Sequence, residues 1–393
     1  MKQIINSILD TDTYKTSMQN AALQLYPDSI AEYRFKNRGP QRFNKEFLKE
    51  LQNQINLMSN LKLQDDEYSW LKENIDYFPP QYLEYLKNYR YNPSQVSINL
   101  TEDNNLDLRI KGLWRDNILW EVPVMSLISE LYFLIIDKNW SYEGQEENAT
   151  EKIKELSKNN CVFADFGSRR RRSFRNQDLV LRQFKKYENN FKDSSFCGTS
   201  NMFFAKKYGW KAIGSIAHEQ ICATQALKSI NHCNHYAMED WLKIYPNYDS
   251  AILTDTITTP MFLKDFNKQF AIRFNAVRHD SGSEFMFIEK MIKHYRKLGI
   301  DSMSKTIIFS DGLDINRAIS IKKYCEGMIK CSFGIGTFLT GHGFGENSPA
   351  LNMVIKLWGI NDFPVVKLSD NKGKKNGDSM AVKNIEFIVE QSI

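Results

Sequence analysis

Trp210-Lys211-Ala212-Ile213-Gly214-Ser215-Ile216-Ala217-His218-Glu219 joins an apolar run to a stretch of helical character, Gln220 to Ile230. A strand that gives way to a helix at a glycine, with a histidine at the handover, belongs to an α/β architecture. There, side chains at strand ends face a crevice and the next helix offers unpaired N–H groups. Alone, His218 reads as a half-buried histidine at a helix start. The strand ends around it in the chain change that reading.

Outward from this junction, strands alternate with helical stretches from about Asn148. The spacing predicts strands at Val162–Phe166, Lys211–Ile216, Ala251–Thr254, Ala271–Val277, Thr306–Phe309 and Ile329–Phe333. Regular β-α alternation with this many strands means a parallel sheet, and a barrel rather than an open sheet. Each predicted end carries chemistry: Asp165-Phe166-Gly167-Ser168-Arg169, His218-Glu219, Thr254-Asp255-Thr256, Arg278-His279-Asp280-Ser281-Gly282, Ser310-Asp311-Gly312-Leu313-Asp314 and Gly334-Ile335-Gly336-Thr337. In a barrel those ends share one face, so they surround one pocket.

The N-terminal part reads differently. Asp10-Thr11-Asp12 is a cluster of N-cap residues before Tyr14, Met18, Ala21, Ala22 and Leu25 at helical spacing, and Pro27 stops that helix. Ala31, Tyr33 and Phe35 alternate with polar residues as a strand does, and Val96–Leu100 and Leu106–Ile110 flank an acidic turn. Beyond Gly345, Leu351–Leu357 and Val365–Leu368 read as strands, followed by a basic turn from Asp370 to Gly377. The expected division is an α+β domain over residues 1–140, completed by a tail from about 346 to 393, and an α/β barrel over 141–345 that carries the site.

Composition limits the function. The chain has 393 residues and 52 Lys+Arg against 47 Asp+Glu, a formal charge of +5. That excess does not by itself imply a nucleic-acid partner but suits anionic small molecules. Six cysteines without a C-x-x-C pair, and no signal-like N-terminus, suggest free thiols in the cytoplasm. The apolar run Val122–Ile136 is broken by Pro123, Ser126, Ser129 and Glu130 and is too short to span a bilayer, so no membrane association is expected.

Glycines directly after strands, as in Gly334-x-Gly336-Thr337 and Asp311-Gly312, let successive backbone N–H groups approach a phosphate. Asp255, Asp280, Asp311 and Asp314 crowd carboxylates onto the same rim, which calls for a cation such as Mg²⁺ held with a diphosphate. Arg169-Arg170-Arg171-Arg172 reads as a solvated loop or, placed after a strand, as a source of a pocket-facing guanidinium. Arg278 beside Asp280 has the position to fork onto a planar carboxylate. His232-Cys233-Asn234-His235 matches no common zinc spacing, and His342 is left without a role.

Together these residues resemble the nicotinate phosphoribosyltransferase family, of type II phosphoribosyltransferase fold. The resemblance runs through Asp10-Thr11-Asp12-x-Tyr14-Lys15, Phe35-Lys36-Asn37-Arg38, Glu121-Val122-Pro123, Asp165 to Arg171, Gly198-Thr199-Ser200-Asn201, Ala217-His218-Glu219, Leu253 to Thr256, Val277 to Gly282, Ser310 to Asp314, Ser332 to Thr337 and Lys367 to Asp370. It implies an irregular β/α barrel beside a domain built from both chain ends. It implies transfer of phosphoribosyl from 5-phosphoribosyl 1-diphosphate to nicotinate in NAD salvage, coupled to ATP hydrolysis, with Mg²⁺ as cofactor. His218 matches the histidine that is transiently phosphorylated, with Glu219, Asp255 and Asp280 in catalytic positions. Asp255 is the expected partner of the imidazole, and Asp280 the stabiliser of an oxocarbenium-like ribose.

The resemblance further assigns the pyridine ring to Tyr14 and Phe166, its carboxylate to Arg169, Ser200 and Arg278, a further nicotinate contact to Ser215, and the phosphates to Arg171, Asp311, Gly312, Gly334, Gly336, Thr337 and Lys372. The related nicotinamide enzyme carries an aspartate where this chain has Ser200. A serine hydroxyl beside Arg278 therefore favours the acid over the amide. Gly341 to Gly345 and Ser168 depart from the family pattern. Monomer and homodimer are both compatible, with Tyr14 acting in cis or from a neighbouring subunit. A nicotinamide or quinolinate transferase, and an RNA-binding protein using the arginine run, are the rival readings; confinement of the arginines to one loop argues against the last.

Overall fold

Two sheets built on different rules carry the molecule. The computed structural model describes residues 1–214, 216–248, 251–345 and 347–392, with Lys372 by its backbone alone. In chain order the strands are β1 (Ile30–Asn37), β2 (Val96–Leu100), β3 (Leu106–Leu113), β4 (Phe163–Asp165), β5 (Phe196–Thr199), β6 (Ala251–Leu253), β7 (Ala276–His279), β8 (Thr306–Phe309), β9 (Lys330–Ile335), β10 (Met353–Ile360) and β11 (Phe363–Pro364).

Strands β4 to β9 form one sheet in the order β5-β4-β9-β8-β7-β6, with every pairing parallel. Parallel neighbours require crossovers, supplied by helices such as Phe174–Asn190, Glu284–Lys297 and Ile315–Cys325. A single parallel bridge between Thr199 and Ala212 carries the curve past β5. Among the described residues no ladder joins Ala212 to β6, which makes this the irregular α/β barrel that the motif order implies.

The second sheet is antiparallel, in the order β11-β10-β1-β3-β2. Its central pair joins the two ends of the chain: β10 runs against β1 from Ala31 opposite Ile360 to Asn37 opposite Met353. Buried Tyr33 and Ile355 belong to this pair, so the tail completes a core that the N-terminal part cannot close alone. The sequence showed the tail strand but not the helix Ser379–Ser392 that ends it.

Three expectations are corrected. Lys211–Ile216 does not form a strand among its described residues. Ala212 makes its one bridge, Tyr248 donates to the carbonyl of Gly214, and a Cβ on Gly214 would lie 3.0 Å from the nitrogen of Tyr14, so the N-terminal helix occupies that edge. Residues 268–273, half of them expected in a strand, form a helix because the Asn267 side chain accepts from the nitrogens of Gln269 and Phe270; the strand begins at Ala276. The apolar run at 122–136 extends back to Trp114, giving 23 helical residues with an 18-residue window of mean hydropathy 1.6, and thus has the length to cross a membrane. Of that window 83% is buried within the protein, so its apolar surface packs into the core.

Candidate active site

The ends of β4, β7, β8 and β9 and the start of the helix His218–Leu227 open on one cavity of about 1160 Å³. Its opposite wall comes from the antiparallel sheet and the tail, through Lys36, Arg38, Lys356 and Lys367. The lining holds eight Lys/Arg side chains against five Asp/Glu, an excess that favours anionic ligands.

His218 is the first residue of its helix and only 8% exposed. Asp255 and Asp280 follow the adjacent parallel strands β6 and β7, whose register brings both carboxylates to the imidazole. Nε2 lies 3.0 Å from Asp280 Oδ2 and 3.8 Å from Asp255 Oδ1, and Nδ1 lies 2.9 Å from Thr256 Oγ1. The expected pairing with Asp255 is therefore corrected: Asp280 is the closer carboxylate, because Lys367 and Ser281 draw the other oxygen of Asp255 toward the tail, at 3.2 and 2.5 Å. Burial, reinforced by the Lys367 charge, pulls the imidazole down to about 4 against the two carboxylates, so the ring is neutral at pH 7. Burial alone would raise Asp280, but the hydrogen bond from His218 and the Arg278 charge hold it well below the usual carboxylate range. A carboxylate only accepts, so Nε2–H donates to Asp280 and Nδ1 is left to accept from the Thr256 hydroxyl.

A slot for a flat ring adjoins this group. Phe166 follows β4, and a Cβ on Gly334 would stand 2.3 Å from its ring. The glycine, expected at a phosphate, thus clears space for the phenyl group in the first instance. The Arg278 guanidinium lies 5.3 Å over Phe166, its Nε donating to Ser310 at 2.8 Å and its Nη2 3.6 Å from Asp280. Tyr14 reaches the cavity within the one chain, with the Arg169 guanidinium 6.0 Å from its ring centre. Arg169 makes two long ion pairs, donating to Glu121 at 3.5 Å and lying 3.8 Å from Asp12.

On the phosphate side, Gly312 adopts φ +55, a left-handed conformation that its lack of Cβ permits, and Gly336 precedes Thr337 at the lip. Lys374 from the tail pairs with Asp311 and donates to the Asp280 carbonyl at 3.2 Å.

Two expected residues lie outside the cavity and a third is committed to other partners. Arg171 is fully buried and forks onto Asp10 through two bonds of 2.7 Å, out of reach of any phosphate. Asp10 is thereby a structural anchor and not a helix cap. The Ser200 hydroxyl donates to Asp12 at 2.8 Å and does not line the cavity, so it is not the carboxylate donor. Glu219 lines the cavity, but its carboxylate is taken by Lys15, by Tyr33 at 2.5 Å and by Trp114 at 2.8 Å, leaving it no freedom for acid–base work. Ser215 and the Lys372 side chain lie outside the described residues. Of the wall lysines, Lys36 and Lys367 stand in the motifs without a role, and Lys356 escaped the sequence reading, although its place between Ile355 and Leu357 was a visible signal: a charge inside an apolar strand.

Ring slot, phosphate lip and a buried neutral imidazole share one cavity, the set expected of a transferase that joins a small aromatic acid to a phosphorylated co-substrate. Residues 161–389 match the nicotinate phosphoribosyltransferase (NAPRTase) family model, and residues 9–129 match the model of its N-terminal domain. The chain is 46% identical to a nicotinate phosphoribosyltransferase of Methanosarcina mazei, covering 98% of each. It is 39% identical to a probable nicotinate phosphoribosyltransferase of Schizosaccharomyces pombe over 96% of this chain and 95% of that one. The crystal structure of nicotinate phosphoribosyltransferase from Porphyromonas gingivalis superposes with a TM-score of 0.94 at 37% identity, over 98% of this chain and all of the other. The chain belongs to the nicotinate phosphoribosyltransferase family.

Proposed function

We propose that the protein joins nicotinate to 5-phosphoribosyl 1-diphosphate, releasing nicotinate mononucleotide and diphosphate, in the salvage route to NAD, and that ATP drives the reaction through a phosphohistidine at His218. The observation that carries this reading is the buried imidazole that lines the same cavity as the ring slot and the phosphate lip, with Asp280 at 3.0 Å.

Nicotinate stacks between Phe166 and Tyr14, and Arg169 and Arg278 hold its carboxylate. Its ring nitrogen attacks C1 of the phosphoribosyl group as the bond to the diphosphate breaks, and Asp280 stabilises the positive charge that develops on the ribose. In the energy-coupling half, Nδ1 of His218 bears the lone pair. Once the Thr256 hydroxyl turns aside, Nδ1 takes the γ-phosphoryl group of ATP and ADP leaves. Water later cleaves the phosphohistidine and inorganic phosphate departs.

Asp255 Oδ1 is buried without a hydrogen-bond partner, and the ligand atoms of His218, Asp255 and Asp280 all lie within 4.8 Å of one another. Two such carboxylates fit Mg²⁺, which when bound would neutralise charge on the diphosphate. The reading is tested by incubation with γ-labelled ATP: label should enter the protein as an acid-labile adduct, and nicotinate with phosphoribosyl diphosphate should discharge it with release of diphosphate. Absence of any adduct alongside active transfer would refute the phosphohistidine.

A further inference from the structure

Selection of an acid over its amide needs a cation whose charge is not already spent, and Ser200 does not supply the contact expected of it. The two guanidiniums of the ring slot differ in this respect. Arg278 is engaged by Ser310 and approached by Asp280. Arg169 pairs with two acidic neighbours, Glu121 at 3.5 Å and Asp12 at 3.8 Å, both longer than an ordinary charge-assisted bond.

Lys15 explains that restraint. It is fully buried, with its ammonium 2.5 Å from Glu121 Oε2 and bonded also to Glu219 Oε2. Glu219 is fixed in turn by Tyr33 and Trp114, so the ammonium has one place to sit. Glu121 is pulled toward Lys15 at one oxygen and shows only its other oxygen to Arg169, at 3.5 Å. Asp12 is held in a similar way by the Ser200 hydroxyl at 2.8 Å.

We infer that Lys15 is a specificity-positioning residue: by holding Glu121 it keeps the ion pairs of the Arg169 guanidinium long and loose, so that the carboxylate of an aromatic acid can compete for it. The inference deepens the nicotinate reading above and rests on it. It concerns binding of the acid, not the phosphoryl step, and Lys15 itself touches no substrate. Without the ammonium, Glu121 closes on Arg169 and the ligand carboxylate must displace an internal ion pair.

The experiment first measures nicotinate and nicotinamide use by the unaltered protein. Failure to use nicotinate would overturn the functional reading itself, before any variant is made. With that activity in hand, Lys15→Met should raise the KM for nicotinate about tenfold or more, leave the KM for phosphoribosyl diphosphate within about threefold, and narrow the preference for nicotinate over nicotinamide. Adding Glu121→Gln to Lys15→Met removes the competing charge and should restore the nicotinate KM, and Lys15→Arg should retain most of the preference. Glu121→Gln alone keeps the KM at or below its original value, which also serves if Lys15→Met does not fold. Equal changes in both KM values, no rescue by the double variant, or a higher nicotinate KM in Glu121→Gln alone would each overturn the inference.

Discussion

The rim of the parallel sheet and the wall of the antiparallel sheet face each other across one cavity but carry opposite chemistry. The rim presents His218 and the carboxylates of Asp280 and Asp311, each engaged by a neighbour. On the wall Lys367 pairs with Asp255, but Lys356 and Arg38 have no carboxylate bonded to them among the described residues, and burial lowers both below their usual values. Satisfied groups on the rim keep a fixed geometry, as bond making requires. Unsatisfied cations on the wall hold affinity in reserve for an anion that arrives with the substrate.

The largest expected effect falls on the rim. His218→Ala should abolish ATP stimulation and phosphoryl labelling while leaving a slow, ATP-independent transfer, measured as diphosphate release with and without ATP. A full ATP response in the alanine variant would move the energy coupling elsewhere. The acid limb is a second handle. The imidazole is neutral down to about pH 4 because of burial and then Lys367, so labelling should hold steady from pH 7 to 5. Lys367→Met removes one lowering influence, raises the imidazole toward its ordinary value and should shift that limb upward.

Next in size is a contrast within one loop. Arg171→Leu breaks a fully buried pair and leaves Asp10 uncompensated, at a cost of about 3–5 kcal/mol of stability readable in denaturant melts. Arg169→Leu, two residues away, should change stability far less and raise the nicotinate KM instead. A smaller effect follows from Gly334→Ala: its methyl group meets the Phe166 ring and tilts the slot, raising the nicotinate KM about tenfold with little change for phosphoribosyl diphosphate.

This contrast also shows what sequence discloses. The parallel strands announced themselves as apolar runs with functional residues at their ends, so β8 was legible residue for residue and Asp280 and Phe166 could be named; His218 was found beside an apolar run that forms no strand among its described residues. The four arginines were legible only as a run. Whether a guanidinium in it faces ligand or core depends on Asp10, 161 residues earlier, and no local pattern encodes that distance. Strand β5 went unread because four residues with Gly198 at φ +139 carry too short a period. The wall was hidden for the same reason as Arg171: its cations become a surface only when β10 returns to pair with β1.

Lys356 gives the finest test of the wall. Its amine lines the cavity, and burial brings it down to about 8, against the weaker pull of Glu121. It is charged below that pH and neutral above it, so attraction for an anionic substrate is present at pH 7 and fades as pH rises through about 8. The kcat/KM for phosphoribosyl diphosphate should fall several-fold across that range, with kcat changing less. Lys356→Met should be flat there, at the level the unaltered protein reaches at high pH. Lys356→Arg, which stays charged throughout, should be flat at the higher level. Were all three proteins to share one sloping profile, the titrating group would lie on the rim, and the division of labour between a satisfied rim and an unsatisfied wall would fail.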